Sequence, residues 1–464
     1  TMNVKEKKKR GDSDNGSIHK FFRHILLLFI IVALVKRQLY ILSVSPLTTK
    51  IDHRDILAPI QEGTKVFSSA KSIHATGPPK RYNATEYNLQ LAESTKVFPN
   101  LTTAMHYHRL AYFSGFRNQY QQFMGEIFVA RENGHSQILL EGMKWKDLFG
   151  TEVRLCHKFL FDVVHWNSFY PRLPRIVAYD PTVHTEIELH GNLPIEPRIG
   201  YVNVTGDPIQ NASKPFVIGR NKMHPQNRYK ALTSLAYQPN HDRDPMDVLA
   251  FQGAFRPHPE LQEIMDDLLR NVSRSDKNYL DGDDADYSYM ALHARVEPDM
   301  QVHRPCWDKK VTNFTDILDM LYQKYPDPPS QSVFLILNRD SLEKTVAKAD
   351  NTNMLAVHNL EVLNRVVRDG LWDGRAKVFE AGHVHLQTLG HPIYSKYYSI
   401  SGSVLSFFLA LGAKIFIGSE VSSFAIDVET SRFYRGNKQN YHYLPHGIEL
   451  ATPEDATLPS RFQC

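Results

Sequence analysis

Short apolar runs alternate with amphipathic stretches along much of the chain, most regularly in its second half. Gln331–Leu337 is an apolar run set off by the helix-breaking PDPP at 326–329. Around it the spacing predicts helices over Asp316–Tyr325 and Asn359–Asp369 and a strand over Ala376–Glu380. Further on it predicts a helix over Ser399–Leu411, a strand over Lys414–Ile417 and a helix over Ser423–Tyr434. Strands alternating with helices predict a parallel α/β unit. An earlier block reads as β-α-β. Its strand ends near Phe113 and turns at Ser114–Gly115. A helix from Asn118 to Glu132, a turn at Asn133–Gly134 and a strand at Gln137–Leu140 follow. Residues 141–285 are less patterned. They suggest helices at Gln226–Tyr237 and Pro259–Asn271, and a strand and turn at Phe251–Arg256, where Gly253 could lie close to a ligand. Trp145 and Trp166 read as core residues.

The stretch Tyr289–Cys306 departs from a plain core strand. An apolar run from Tyr289 is ended by Pro298. On a continuous strand, alternation places His293, Arg295 and Glu297 on one face and Ala294 and Val296 on the other. Three ionisable groups on one face suit a strand end that opens into a cleft, where α/β folds hold ligands. A solvated edge face gives the same pattern.

Two turns could bind an anion. Gly115 precedes the helix that begins at Asn118. Gly418 ends a strand before Ser422 and Ser423, either of which can cap the next helix. Exposed N–H groups at a helix start attract phosphate. An ordinary βα turn and an ordinary serine cap are the plainer readings.

The N-terminus adds a membrane question. Residues 1–20 are polar and carry Lys5, Lys7, Lys8, Lys9 and Arg10. The apolar core Ile25–Val35 spans eleven residues. Extended over 21–44 it approaches the roughly twenty needed to cross a bilayer. A signal anchor with a cytoplasmic basic tail is the expected reading, and a cleaved signal peptide competes with it. Residues 45–98 show no sustained period and read as a stem. N-glycosylation sequons at Asn83, Asn100, Asn203, Asn211, Asn271 and Asn313 all follow the apolar segment, while the one at Asn15 lies in the tail.

Composition narrows the classes. The formal net charge of the 464 residues is +4. With the basic tail set aside the remainder is near neutral, which argues against a nucleic-acid surface. Cys156, Cys306 and Cys464 are too few for a disulfide framework or a cysteine zinc site, though Cys156–Cys306 could pair. Asp242-Arg-Asp244, Asp281-Gly-Asp283 and Asp284-Ala-Asp286 are Asp-x-Asp strings, the kind that holds a divalent cation on a nucleotide diphosphate. They read equally as solvated loops.

The series His293-x-Arg295-x-Glu297-x-Asp299-Met300 resembles the central motif of the protein O-fucosyltransferase-like superfamily. Gly115, Asn118 and Gln119 are similar to that family's first glycine loop. Gly418, Ser422, Ser423, Phe424 and Arg432 are similar to its strand-loop-helix block. There are two departures. A carboxylate that some members carry in the first loop is absent, with Arg117 at a position often small, and Ser406 stands where members often carry an acidic residue that contacts the base.

The resemblance implies a GT-B fold of two Rossmann-like domains facing a cleft, at 99–285 and 286–464, behind tail, anchor and stem. It implies inverting transfer of fucose from GDP-fucose to a hydroxyl of a protein or glycan, with no metal or other cofactor. Residence in the Golgi or endoplasmic reticulum membrane, with a luminal catalytic part, follows from that plan. Arg295 would stabilise the leaving diphosphate, and Glu297 would act as base or orient Arg295. Gly115, Asn118, His293, Asp299, Ser422, Ser423, Phe424 and Arg432 would bind donor or acceptor. The alternatives are a metal-dependent GT-A transferase using an Asp-x-Asp string and a non-catalytic, membrane-anchored carbohydrate-binding protein.

Overall fold

The computed structural model describes residues 82–96, 105–108, 116–132, 135–140, 143–146, 152–155, 157–177, 245–274, 288–302, 307–348, 353–380, 394, 398–437 and 439–452. All belong to the unit Ala58–Cys464. The segment expected to anchor the chain, 21–44, lies outside them, as do Gly115, the three cysteines and the Asp-x-Asp strings. Among the described residues no helix is long and apolar enough to cross a membrane.

The chain begins its described course with helix α1 (Ala84–Ser94), inside the segment read as stem. Asn83 caps it, its Oδ1 accepting from the N–H groups of Thr85 and Glu86. Tyr87 and Leu91, one turn apart, are buried in the core. The Tyr87 hydroxyl donates to Asp162 at 3.2 Å. The stem reading therefore fails at its C-terminal end. Only two residues of α1 are core-facing, too few to mark a helical period in a polar sequence.

Strand β1 (Met105–His108), helix α2 (Phe116–Glu132) and strand β2 (Gln137–Leu140) form the expected β-α-β unit. The hairpin β3 (Met143–Lys146) and β4 (Glu152–Leu155) follows, then helix α3 (Val163–Asn167) and strand β5 (Arg175–Val177). The parallel sheet runs in the order β1-β2-β5. Helices α4 (Pro245–Ala254) and α5 (Pro259–Arg274) complete this part. Phe251–Ala254 is thus helix, not the expected strand. Pro245 is preset for a first helical turn and Asp247 favours the helix start. Phe251 and Phe255 then bury against Tyr120.

The second part is built on a six-stranded sheet. Its elements in chain order are β6 (Met290–His293), α6 (Pro298–Val302), α7 (Phe314–Lys324), β7 (Ser332–Ile336), α8 (Arg339–Val346), α9 (Met354–Asp369) and β8 (Lys377–Glu380). Then come α10 (Tyr398–Gly412), β9 (Ile415–Ser419), α11 (Ser423–Tyr434), β10 (Asn440–Leu444) and β11 (Gly447–Leu450). The sheet order is β11-β10-β9-β6-β7-β8, parallel except for the edge strand β11. Strand β6 lies inside it, with β7 and β8 to one side and β9, β10 and β11 to the other. That is the order of the doubly wound nucleotide-binding sheet.

Both faces of the sheet are covered, which is why β6 is buried along its whole length. Met290 and Leu292 point into a cluster with Phe314, Ile317, Leu363 and Val366 of α7 and α9. Ala291 points the other way, into a cluster with α10 that also holds Phe116, Tyr120, Phe251 and Phe255 of the first part. One apolar core therefore joins the two sheets through α2, α4 and α10.

Candidate functional site

The chain winds from β6 to β7 and β8 on one side, then crosses to β9 on the other. The chain paths leaving the C-terminal ends of β6 and β9 diverge, and in open α/β sheets that divergence is the ligand crevice. His293, Arg295, Glu297 and Asp299 leave one side of it. Ser419, Ser422, Ser423 and Phe424 leave the other.

Strand β6 stops at His293, so the expected strand alternation does not extend to Glu297. Ala294, Val296 and Glu297 are all buried, while Arg295 keeps 24% of its side chain exposed. The loop is held from beneath by Asn359, which is wholly buried. Its Nδ2 donates to the Val296 carbonyl at 3.2 Å and its Oδ1 accepts from Phe314 N–H at 2.9 Å.

The Arg295 guanidinium is aimed by two carboxylates. One terminal nitrogen donates to Glu297 Oε2 at 2.7 Å, and the other to Asp299 Oδ2 at 2.6 Å. Burial opposes its charge, but Glu297 and Asp299 outweigh burial and hold its pKa above the ordinary arginine value. The two partners differ. Glu297 is buried, and its second oxygen accepts the Asn338 N–H at 2.8 Å at the start of α8. Both its oxygens thus serve protein donors, which is the arrangement of an orienting group. Asp299 is 63% exposed and covers the outer edge of the guanidinium.

His293 is 5% exposed, and its ring centroid lies 4.8 Å from that of Phe424. Its buried Nδ1 meets no hydrogen-bond partner. Burial, and secondarily the Arg295 charge, push its pKa down to about 3. Without a ligand the imidazole is therefore neutral at physiological pH and offers a lone pair or an N–H.

Ser422 is the N-cap of α11, yet its hydroxyl makes no cap hydrogen bond. Asn83, Asp162, Asn313, Asn338 and Asn353 all cap their helices through side chains. The start of α11 so combines buried Ser422 with backbone N–H groups that no side chain caps, beside the His293–Phe424 pair. Gly418 permits this approach. A Cβ there would lie 2.5 Å from Ala425 Cβ and 2.9 Å from the Phe416 ring. Lys309 donates to Glu420 at 2.7 Å, tying the β9–α11 loop to the turn at Trp307–Lys309.

The remaining expected residues divide. Asn118 lies in the first turn of α2, half-buried, and its neighbour Gln119 is buried. Helix α2 meets α11 through Arg117 and Asp427, so the starts of the two helices lie against one another. Arg432 is not at the crevice. It is 0% exposed, and its guanidinium donates to Asn440 and to the carbonyls of Ala410, Leu411, Ala413 and Lys414. That arginine pins the end of α10 to β9 and β10. Asp427, Asn359 and Tyr443 were not singled out from the sequence. Tyr443 lies on β10, and β10 and β11 carried no sequence expectation.

The arrangement defines a doubly wound α/β protein with a switch-point crevice. Around that switch point stand the oriented Arg295 guanidinium, the His293–Phe424 pair and the start of α11. No protein-family model matches the sequence, and no curated protein matches it. Among solved structures the chain is similar to POFUT1 in complex with GDP-fucose, at 14% identity and a TM-score of 0.41, over 75% of this chain and 98% of that one. It is also similar to POFUT1 in complex with GDP, at 13% identity and a TM-score of 0.42, over 73% of this chain and 96% of that one. Likeness at this level supplies no residue-by-residue correspondence.

Proposed function

We propose that this chain is an inverting GT-B glycosyltransferase that moves fucose from GDP-fucose to a hydroxyl of a protein or glycan. The observation that carries the reading is the Arg295 fork, aimed by a buried carboxylate, across the switch-point crevice from the α11 N-terminus. A planar guanidinium and uncapped helix N–H groups together suit a diphosphate. The choice of fucose and guanine rests on the motif series beginning at His293.

In the reaction the acceptor oxygen attacks the anomeric carbon from the face opposite the diphosphate. The bond from that carbon to the phosphate oxygen breaks, and its electron pair leaves with GDP. Arg295 meets the charge that grows on the phosphate, where a preorganised donor is most effective. Ser422, Ser423 and the α11 N–H groups hold the diphosphate, Phe424 walls the base, and neutral His293 hydrogen-bonds sugar or phosphate. Asn118 orients fucose or the acceptor hydroxyl. Glu297 orients Arg295, so the acceptor's proton goes to another base or to water. No metal or cofactor enters this scheme. Residues 21–44 serve as a signal anchor that keeps the catalytic part on the luminal side of the Golgi or endoplasmic reticulum membrane.

Donor hydrolysis by the purified protein across a panel of nucleotide sugars tests the reading. GDP-fucose should turn over fastest, and EDTA should leave the rate intact. Preference for a UDP-sugar, or loss with EDTA reversed by Mn²⁺, would replace it with the metal-dependent alternative.

A further inference from the structure

Arg295 is fixed at its backbone as well as at its side chain. Its N–H donates to the Tyr443 hydroxyl at 2.8 Å, across 148 residues. Tyr443 is wholly buried on β10, and burial raises its pKa above the ordinary tyrosine value. Its neighbour across the ladder on β9 is Ser419, on the same face of the sheet. Ser419 in turn accepts the Ser422 N–H through its carbonyl at 3.1 Å, closing the turn that precedes α11. Tyr443 thus links the two chain paths that leave the switch point, one through its hydroxyl on the Arg295 N–H and the other through its ladder pairing with Ser419.

The position explains the need for it. The ladder between β6 and β9 ends at Leu292↔Ile417, and on the other side the last bond is Ala294 N–H to Ile336 at 3.0 Å. The Arg295 N–H lies beyond the last ladder bond, and Tyr443 supplies its acceptor. The aromatic ring packs in the apolar cluster beneath the sheet, and phenylalanine would fill the same volume. The hydroxyl alone is the extra feature.

We propose that Tyr443 is a positioning residue for the diphosphate site. Its hydroxyl fixes the backbone of Arg295, and so the aim of the guanidinium, while its ladder pairing holds the turn that presents the α11 N-terminus. This inference rests on the nucleotide-diphosphate reading of the crevice. A merely structural phenol is the competing role, and it predicts lost stability with unchanged ligand affinity.

GDP binding by calorimetry is measured for the wild type, Tyr443→Phe, Arg295→Ala and the double variant. Backbone hydrogen exchange of the peptide spanning 289–302 is followed in parallel. Loss of one buried hydrogen bond at the site should weaken GDP binding about tenfold in Tyr443→Phe. In the Arg295→Ala background the same change should cost less than about twofold, because contacting residues are non-additive. Exchange at 289–302 should quicken. Wild-type GDP affinity in Tyr443→Phe overturns the proposal, as does an equal loss in both Arg295 backgrounds. If the wild type binds no GDP, the donor reading fails by itself. Exchange then decides the positioning claim, which unchanged exchange in Tyr443→Phe overturns.

Discussion

Arg117 and Asp427 form an ion pair of 2.7 Å although 310 residues separate them, and both side chains are buried. Gln121 donates to the same carboxylate oxygen at 3.1 Å. The Arg117 guanidinium lies 3.8 Å from the centroid of the Phe407 ring and 3.9 Å from that of Tyr120. This pair sets the start of α2 against α11, and with it the distance between Asn118 and Ser423. Breaking a buried pair strands one charge, so Asp427→Ala should cost about 3–5 kcal/mol in chemical denaturation.

The same carboxyl gives a pH signature. Burial, opposed by Arg117 and Gln121, raises the Asp427 pKa from 3.8 to about 6. Between those values the folded chain binds the proton more than the unfolded chain does. The contribution of Asp427 to stability therefore falls as pH rises through that window. Asp427→Asn cannot titrate. Relative to that variant, the wild type should gain on the order of 2–3 kcal/mol as pH falls from about 6 to about 4. A difference between the two proteins that stays constant with pH would contradict the assignment.

His293 should show the opposite slope. Its pKa is lowered from 6.5 to about 3, so here the unfolded chain binds the proton first. Stability from a neutral His293 is present above the unfolded value and is lost as pH falls below it. His293→Gln should remove that loss, narrowing the wild-type-to-variant gap by about 2 kcal/mol between pH 6.5 and 5. Denaturant midpoints at the two pH values measure it.

Gly418 is needed for close approach. An alanine there would press on Ala425 Cβ and the Phe416 ring. Overpacking of this kind costs about 1–3 kcal/mol. It should also push α11 away from His293, so Gly418→Ala should lose more GDP affinity than its loss of melting temperature accounts for.

Helix α1 moves the boundary of the folded part. A fragment beginning at residue 99 exposes the sites that Tyr87 and Leu91 fill. Each such side chain contributes about 1.5–3 kcal/mol by burial. A fragment beginning at residue 82 should therefore melt well above the shorter one, and equal melting temperatures would show α1 to be dispensable.

What was legible in the sequence follows from what each signal depends on. The central strands and the helices α7, α9, α10 and α11 were readable because strands buried on both faces, and helices buried on one, impose strong periods. The placement of Ser423–Tyr434 agrees to the residue. Helix α4 was misread because Phe251, within it, and Phe255, just after it, look β-prone locally, and their packing depends on Tyr120 far away in the chain. The role of Arg432 was misassigned for the same reason. An arginine near a serine at a helix start suggests a ligand, whereas the carbonyls that hold it come from α10, from Ala413 and Lys414 just before β9, and from Gln439 just before β10. Asp427 and Tyr443 were missed because their partners, Arg117 and Arg295, are distant in sequence. An orienting role for Glu297 was one of two readings the spacing allowed, but the pairing of Asp299 with Arg295 was not expected, because Asp299 was read as a ligand contact.

The most direct test of the account is turnover by Arg295 variants, read against their thermal stability. Removal of an interaction made chiefly in the transition state lowers kcat and kcat/KM together. Arg295→Ala should reduce GDP-fucose turnover on the order of 10²–10³-fold, by analogy with loss of one oxyanion donor. Arg295→Lys should rescue little of it, because an ammonium cannot make the bidentate contact. Arg295→Ala leaves the buried Glu297 carboxylate without its cation and should lower the melting temperature. Arg295→Lys keeps a charge there and should melt closer to the wild type, so turnover is compared at a temperature where all three proteins are folded. Near-wild-type turnover in Arg295→Ala would contradict the account at its centre.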